Sequence, residues 1–96
     1  MLQSQPHDPF LWYALALEHQ KEENFSAAVE IFEKLVQSHP HYLPTFYQLG
    51  KAYEVMGEQE KAVDAFLDGK RLAKKNGDLK AAGELSEALM MHDIFD

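Results

Sequence analysis

The sequence predicts an all-α fold of antiparallel helix-turn-helix repeats, five helices in total, and three observations predict it. The chain repeats itself at a separation of thirty-four residues: Trp12 returns as Phe46, Tyr13 as Tyr47, Leu15 as Leu49, Ala16 as Gly50, Ala28 as Ala62, Val29 as Val63 and Phe32 as Phe66. A register that carries aromatic, small and apolar residues together marks a duplicated structural unit. Within each copy the apolar residues recur at helical spacing. Between them stand residues that cap or stop helices.

The first helix opens at Asp8, whose carboxylate can accept orphan backbone N–H groups, with Pro9 pre-set for the first helical position. Trp12, Leu15, Ala16 and His19 then form one face, expected to be interior. Asn24 is a good cap for a second helix, on which Phe25, Ala28, Val29, Phe32, Leu35 and Val36 make the apolar stripe. Pro40 disfavours helix at His39 and so ends it. A third helix begins near Leu43 and Pro44, buries Phe46, Leu49, Gly50 and Tyr53, and ends around Met56 and Gly57. The fourth carries Ala62, Val63 and Phe66 and runs to about Lys75, with Asn76 and Gly77 offering left-handed termination. From Asp78 the thirty-four-residue register fails, since Lys80 follows Phe46 and Gly83 follows Leu49. Leu79, Ala82, Leu85 and Leu89 nevertheless form a stripe opposite Lys80, Glu84 and Glu87, as expected of an amphipathic fifth helix that covers the last repeat.

Ninety-six residues, 46% hydrophobic and 26% charged, suit one soluble domain, 1–96. The formal charge is -7, from nine Lys plus Arg against sixteen Asp plus Glu, which opposes binding to nucleic-acid backbones or anionic membranes. All the excess lies in residues 1–68, with eleven acids and four bases. Lys70, Arg71, Lys74 and Lys75 read as a solvated helix end that complements the macrodipole. The chain contains no cysteine, which excludes disulfides and thiolate chemistry. Phe10 to Leu17 is an apolar run of eight, but no basic residue precedes it and Glu18, Lys21, Glu22 and Glu23 follow it. It therefore reads as a buried helix in a cytoplasmic protein, not a leader, and it is too short to span a bilayer.

These residues resemble the tetratricopeptide repeat, a helix-turn-helix motif of thirty-four residues with the pattern W-x₂-L-G-x₂-Y, then A-x₃-F, then P. Trp12, Leu15, Ala16, Ala28, Phe32 and Pro40 supply it in repeat one, about 9–42. Phe46, Leu49, Gly50, Tyr53, Ala62 and Phe66 supply it in repeat two, about 43–76, and a capping helix follows at about 78–92. The departures are His19 where the motif prefers Tyr, Gly69 where Leu35 stands in the first unit, and Lys74 in place of the proline. The physical basis of the pattern is close approach: Ala16, Gly50, Ala28 and Ala62 let antiparallel helices meet, and Trp12, Phe46, Phe32 and Phe66 fill the remaining volume.

The resemblance implies a scaffold that binds a peptide or helix of a partner protein in a concave groove lined by the first helix of each pair. The groove positions are Phe10, Tyr13, Leu17, Gln20 and Lys21 in the first unit, and Pro44, Tyr47, Gln48, Lys51 and Glu54 in the second. Phe10, Tyr13, Leu17 and Tyr47 would make an apolar wall that packing within a unit does not require. The alternative occupants of that wall are the last helix or a second copy of the chain. Self-association through Phe10, Tyr13 and Leu17 would make the protein a structural unit, a homodimer or a piece of a longer array. One branch of the family clamps chaperone C-terminal carboxylates with Lys, Asn and Arg; Tyr13 and Leu17 hold the matching positions here, so that clamp is not expected. His39 and His41, flanking Pro40, are too few to hold a metal without further ligands, and His7 and His92 are expected in solvent. The sequence has no nucleophile motif or phosphate loop, so neither catalysis nor a cofactor is expected.

Overall fold

Helix α1 spans Pro9–Lys21, α2 Phe25–Ser38, α3 Pro44–Val55, α4 Gln59–Asn76 and α5 Leu79–Met90 in the computed structural model, which describes residues 8–95. Each helix packs on the next in sequence, so the chain forms two helical hairpins followed by a fifth helix against α4. The result is a slab of 40 × 29 × 18 Å. The side-chain caps expected at Asp8 and Asn24 are made, and Asp78 supplies a third for α5. Asp8 accepts from the Phe10 N–H at 3.0 Å, Asn24 from Ala27 at 3.4 Å and Asp78 from Ala81 at 3.0 Å. Gly77 ends α4 in the left-handed conformation, with φ 73°.

The core follows the repeat. Ala16, Ala28, Ala62, Phe32 and Phe66 are completely buried, and Phe46, Leu49 and Gly50 are buried beside them. Close approach is strictest at Gly50, where an added Cβ would lie 2.3 Å from Phe66 Cε1. Gly69 does the same for α3 and α5: a Cβ there would meet Phe46 Cβ at 2.6 Å and Leu85 Cδ1 at 3.2 Å. The position that departs from Leu35 is thus the clearance into which Phe46 fits.

Several expectations are corrected. Leu79 is 81% exposed, because the buried stripe of α5 is Ala82, Leu85, Ala88 and Leu89. Leu79 opens the helix one turn too early to share that face. Ala82, Leu85 and Leu89 stand thirty-six residues after Phe46, Leu49 and Tyr53, so the register lost at thirty-four returns two residues later. The longer α4, joined to α5 by only Gly77 and Asp78, accounts for the offset. Trp12, Leu15 and His19 are half-buried, leaving Ala16 as the fully interior member of its face. Lys70 is buried, unlike Arg71, Lys74 and Lys75, because it stands one turn from Phe66 and Ala73 on the inner side of α4. The expectation for His7 lies outside the described residues.

The two hairpin turns are the same turn with different residues. In the first, Glu23 takes φ 63° and the Asn24 N–H donates to His19 O at 2.8 Å. In the second, Gly57 takes φ 80° and the Glu58 N–H donates to Tyr53 O at 2.9 Å. A left-handed residue closes each helix, which suits glycine and strains glutamate. The reverse holds at the next position: Asn24 caps α2, whereas Glu58 makes no side-chain cap for α4.

Each unit therefore lacks what the other has, and exchanging residues tests both. Glu23→Gly is expected to stabilise the fold by about 1 kcal/mol by relieving left-handed strain. Glu58→Asn is expected to add about 1 kcal/mol by capping α4. Urea unfolding followed by circular dichroism reads both; a loss of stability from either would contradict the turn assignment. A second pair separates packing from propensity. Gly50→Ala should cost roughly 1 to 3 kcal/mol through its collision with Phe66. Gly83→Ala should gain roughly 1 kcal/mol, since a Cβ there meets nothing within 4 Å.

Candidate partner-binding groove

The groove is built on aromatic side chains that the repeat places in equivalent positions. Tyr13 projects from α1 onto Phe32, with ring centroids 6.0 Å apart and planes at 55°. Tyr47 projects from α3 onto Phe66 at 6.1 Å and 49°. Each tyrosine thus leans on the phenylalanine of its own hairpin. Tyr42, in the link between the hairpins, meets Tyr13 edge-on at 5.7 Å. The Gln48 side chain hydrogen-bonds the Tyr13 phenol and so ties α3 to α1. Burial pushes the Tyr13 phenol above its ordinary pKa; the Gln48 bond works against that shift and the neighbouring Tyr42 adds to it.

Between α3 and α5 these residues enclose a cavity of about 400 Å³. Tyr13, Leu43, Pro44, Tyr47 and Gln48 form one side, and Asp78, Ala81, Glu84 and Leu85 form the other. Among the expected groove residues, the structure therefore gathers Tyr13, Pro44, Tyr47 and Gln48 around one space. Phe10 is 59% exposed on the same helix as Tyr13, beyond that space. Leu17 is half-buried and packs against the core, Gln20 is half-buried, and Lys21 is exposed. The wall is not surplus to packing as expected, because Tyr13, Leu17 and Tyr47 all rest on the core cluster. The reason is geometric: side chains beside a narrow stripe of Ala and Gly fall against the large rings that the small residues admit. The last helix also takes part, lining the cavity without filling it.

Lys51 and Glu54 are engaged with each other and with the end of the chain. Lys51 Nζ lies 3.4 Å from Glu54 Oε1 and 5.8 Å from the centre of the Tyr47 ring. Glu54 Oε2 lies 2.7 Å from His92 Nε2, and the His92 ring stands 6.2 Å from Phe66. His92 is therefore not in solvent: its side chain is 11% exposed. The backbone explains its place, since Asp93 turns left-handed at φ 62°, the Ile94 N–H donates to Leu89 O at 3.1 Å, and Ile94 folds onto the core. No sequence pattern marked this contact, which joins residues thirty-eight positions apart.

Across the slab, Tyr53 donates a hydrogen bond to Glu33, and Lys61 stands over its ring at 5.8 Å. Burial first, and then the bond to Glu33 and its negative charge, hold the Tyr53 phenol far above its usual range. A wider depression of about 520 Å³ lies between the first turns of α4 and the segment Met91–Asp93. Its charged lining, Glu60, Asp64 and Asp93, is acidic apart from His92, and it has no aromatic wall. Trp12 Nε1 and Thr45 Oγ1 are buried without a hydrogen-bond partner. His39 accepts or donates a bond with Ser38 Oγ at 3.0 Å through Nδ1. Among the described residues, no helix is long and apolar enough to cross a membrane.

Comparison with known proteins agrees with this architecture. The family model described as the tetratricopeptide repeat matches residues 11–42 and 43–76. The solution NMR structure of a tetratricopeptide repeat domain protein from Salinibacter ruber is 41% identical, with a TM-score of 0.85 over 92% of this chain and 89% of that one. The crystal structure of such a protein from the same organism is 40% identical, with a TM-score of 0.85 over 91% of this chain and 97% of that one. The crystal structure of MamA shares the fold, at 23% identity and a TM-score of 0.69 over 93% of this chain and 53% of that one. No curated protein matches the chain. Two matched repeats, the helical hairpins that carry them and two solved structures at 41% and 40% identity all lead to one conclusion: the chain belongs to the tetratricopeptide repeat family.

Proposed function

We propose that this protein is an interaction module that docks a peptide or helix of a partner protein in the groove between α1, α3 and α5, without catalysis of its own. Tetratricopeptide repeat proteins generally serve as protein–protein interaction scaffolds. The observation that carries the finer reading is the cavity of about 400 Å³ walled by Tyr13 and Tyr47. Concave, partly aromatic surfaces of this kind suit a peptide that presents side chains to a preformed wall. Phe10, Tyr13, Leu17, Gln20 and Lys21 would contact the partner from α1, and Tyr47, Gln48, Lys51 and Glu54 from α3. Tyr13, Leu17 and Tyr47 would do so only with the surface that packing on the core leaves exposed.

A second reading, association of the chain with itself, is favoured by exposed apolar side chains away from the groove. Leu79, Met90, Met91 and Phe95 on and after α5 are between 50% and 82% exposed. Sedimentation at micromolar concentration separates the readings. A dimer abolished by Met91→Glu would support self-association, and a strict monomer would reject it.

The groove itself is tested with a photo-reactive benzophenone side chain at Pro44, on the cavity rim, and separately at Glu30, on the exposed side of α2. The expected result is that one partner segment cross-links from position 44 and not from position 30. Phe10→Ala should then weaken that segment's binding by only about two- to threefold, since contacts at the edge of an interface carry little of its energy. Its effect on unfolding should stay below about 1 kcal/mol, since the ring is mostly exposed. Equal cross-linking from both positions would overturn the groove.

A further inference from the structure

We infer that the groove accepts a cationic side chain, arginine or lysine, from an apolar-basic segment of a partner protein. The inference rests on the groove reading above and adds the chemistry of what enters it. Two features of the cavity support it. Tyr13 and Tyr47 present ring surface along one side, and the carboxylates of Asp78 and Glu84 stand on the other. Among the described lining residues none is basic. An aromatic surface facing carboxylates favours a cation with an aliphatic stem: the stem packs on the rings, the charge lies over their faces and the carboxylates complete the pairing. A carboxylate ligand would instead meet two like charges.

The protein already uses part of this chemistry within itself. Lys51 stands 5.8 Å from the centre of the Tyr47 ring, within the range at which a ring face and a cation interact. That lysine is held at the rim by Glu54 at 3.4 Å, and Glu54 is fixed in turn by His92 at 2.7 Å. The internal pair is therefore closed on itself, on α3. Glu84 belongs to α5, is exposed, and faces the cavity. Asp78 uses Oδ1 to cap α5, which leaves its other oxygen for a ligand. The formal charge of -7 acts in the same direction at longer range, raising the local concentration of basic segments. The apolar lining residues Leu43 and Pro44 on one side and Ala81 and Leu85 on the other take apolar neighbours of the cation, which is why the segment is mixed and not simply polybasic.

Three synthetic peptides of equal length and identical apolar residues, carrying Arg, Gln or Glu at the same alternate positions, test this against the full chain. Binding is followed by fluorescence anisotropy and by ¹H–¹⁵N shifts of the amides of Tyr47, Gln48, Ala81 and Glu84. The Arg peptide is expected to move those amides and to bind roughly tenfold more tightly than the Gln peptide, a gain of the size a cation between rings and carboxylates gives. The Glu peptide should bind more weakly than either. Glu84→Gln, at an exposed helix position, should lower affinity for the Arg peptide several-fold and that for the Gln peptide by much less. If the Gln peptide moves the same amides with equal affinity, the cationic preference falls and the groove stands. If the Arg peptide moves no groove amide at millimolar concentration, or moves only those of α2, both fall.

Discussion

The contact on which most of this structure depends is that between the Phe66 ring and the missing side chain of Gly50. Phe66 is completely buried, and its ring edge occupies the space that a Cβ on Gly50 would need. That clearance sets how closely α3 and α4 approach. The same ring supports Tyr47 on the groove side and His92 at the end of the chain. One aromatic residue therefore couples the hairpin core, the candidate binding wall and the fastening of the last segment. Such coupling is expected in a small repeat, where a second layer of core is unavailable and each large ring must serve several neighbours.

The fold was legible in the sequence because its determinants are local and duplicated. Asp8, Asn24, Gly77 and Asp78 act within a few residues of themselves, and the stripes of Phe32 and Phe66 are separated from their partners by one hairpin. What escaped was set by geometry between elements. The α5 register moved by two residues with the length of α4, so Leu79 fell outside the buried face and Ala88 fell inside it. An insertion-tolerant comparison would have found Ala82, Leu85 and Leu89 behind Phe46, Leu49 and Tyr53. Lys70 and His92 were read as solvated, yet Lys70 lies on the inner side of α4 beside Phe66 and Ala73, and His92 is drawn inward by Glu54, remote in sequence. No periodicity could have paired His92 with Glu54.

The groove was legible only in outline. Counting along each first helix identified Tyr13, Tyr47 and Gln48 together with Pro44, and these do share a cavity. The same counting could not distinguish a residue facing open space from one lying on a core ring, because both occupy the edge of the apolar stripe. Leu17 and Gln20 are half-buried for that reason, and Lys51 and Glu54 are turned toward each other. The opposite wall could not be read at all. Asp78, Ala81, Glu84 and Leu85 reach the groove through the placement of α5, which depends on the length of α4 and on where Leu85 meets Gly69.

That wall matters to the proposed function, in which it gives an aromatic surface a charge preference. Rings held by Phe32 and Phe66 lose little freedom when a ligand arrives, so contact with the surface they leave exposed carries a small entropic cost. The rigidity that makes Tyr13 and Tyr47 part of the core is thus an advantage for recognition. Specificity has to come from groups that are not committed to the core, and in this cavity those are the carboxylates of α5. A helix that first reads as a cover for the last repeat thus brings the carboxylates on which the proposed choice among partners rests.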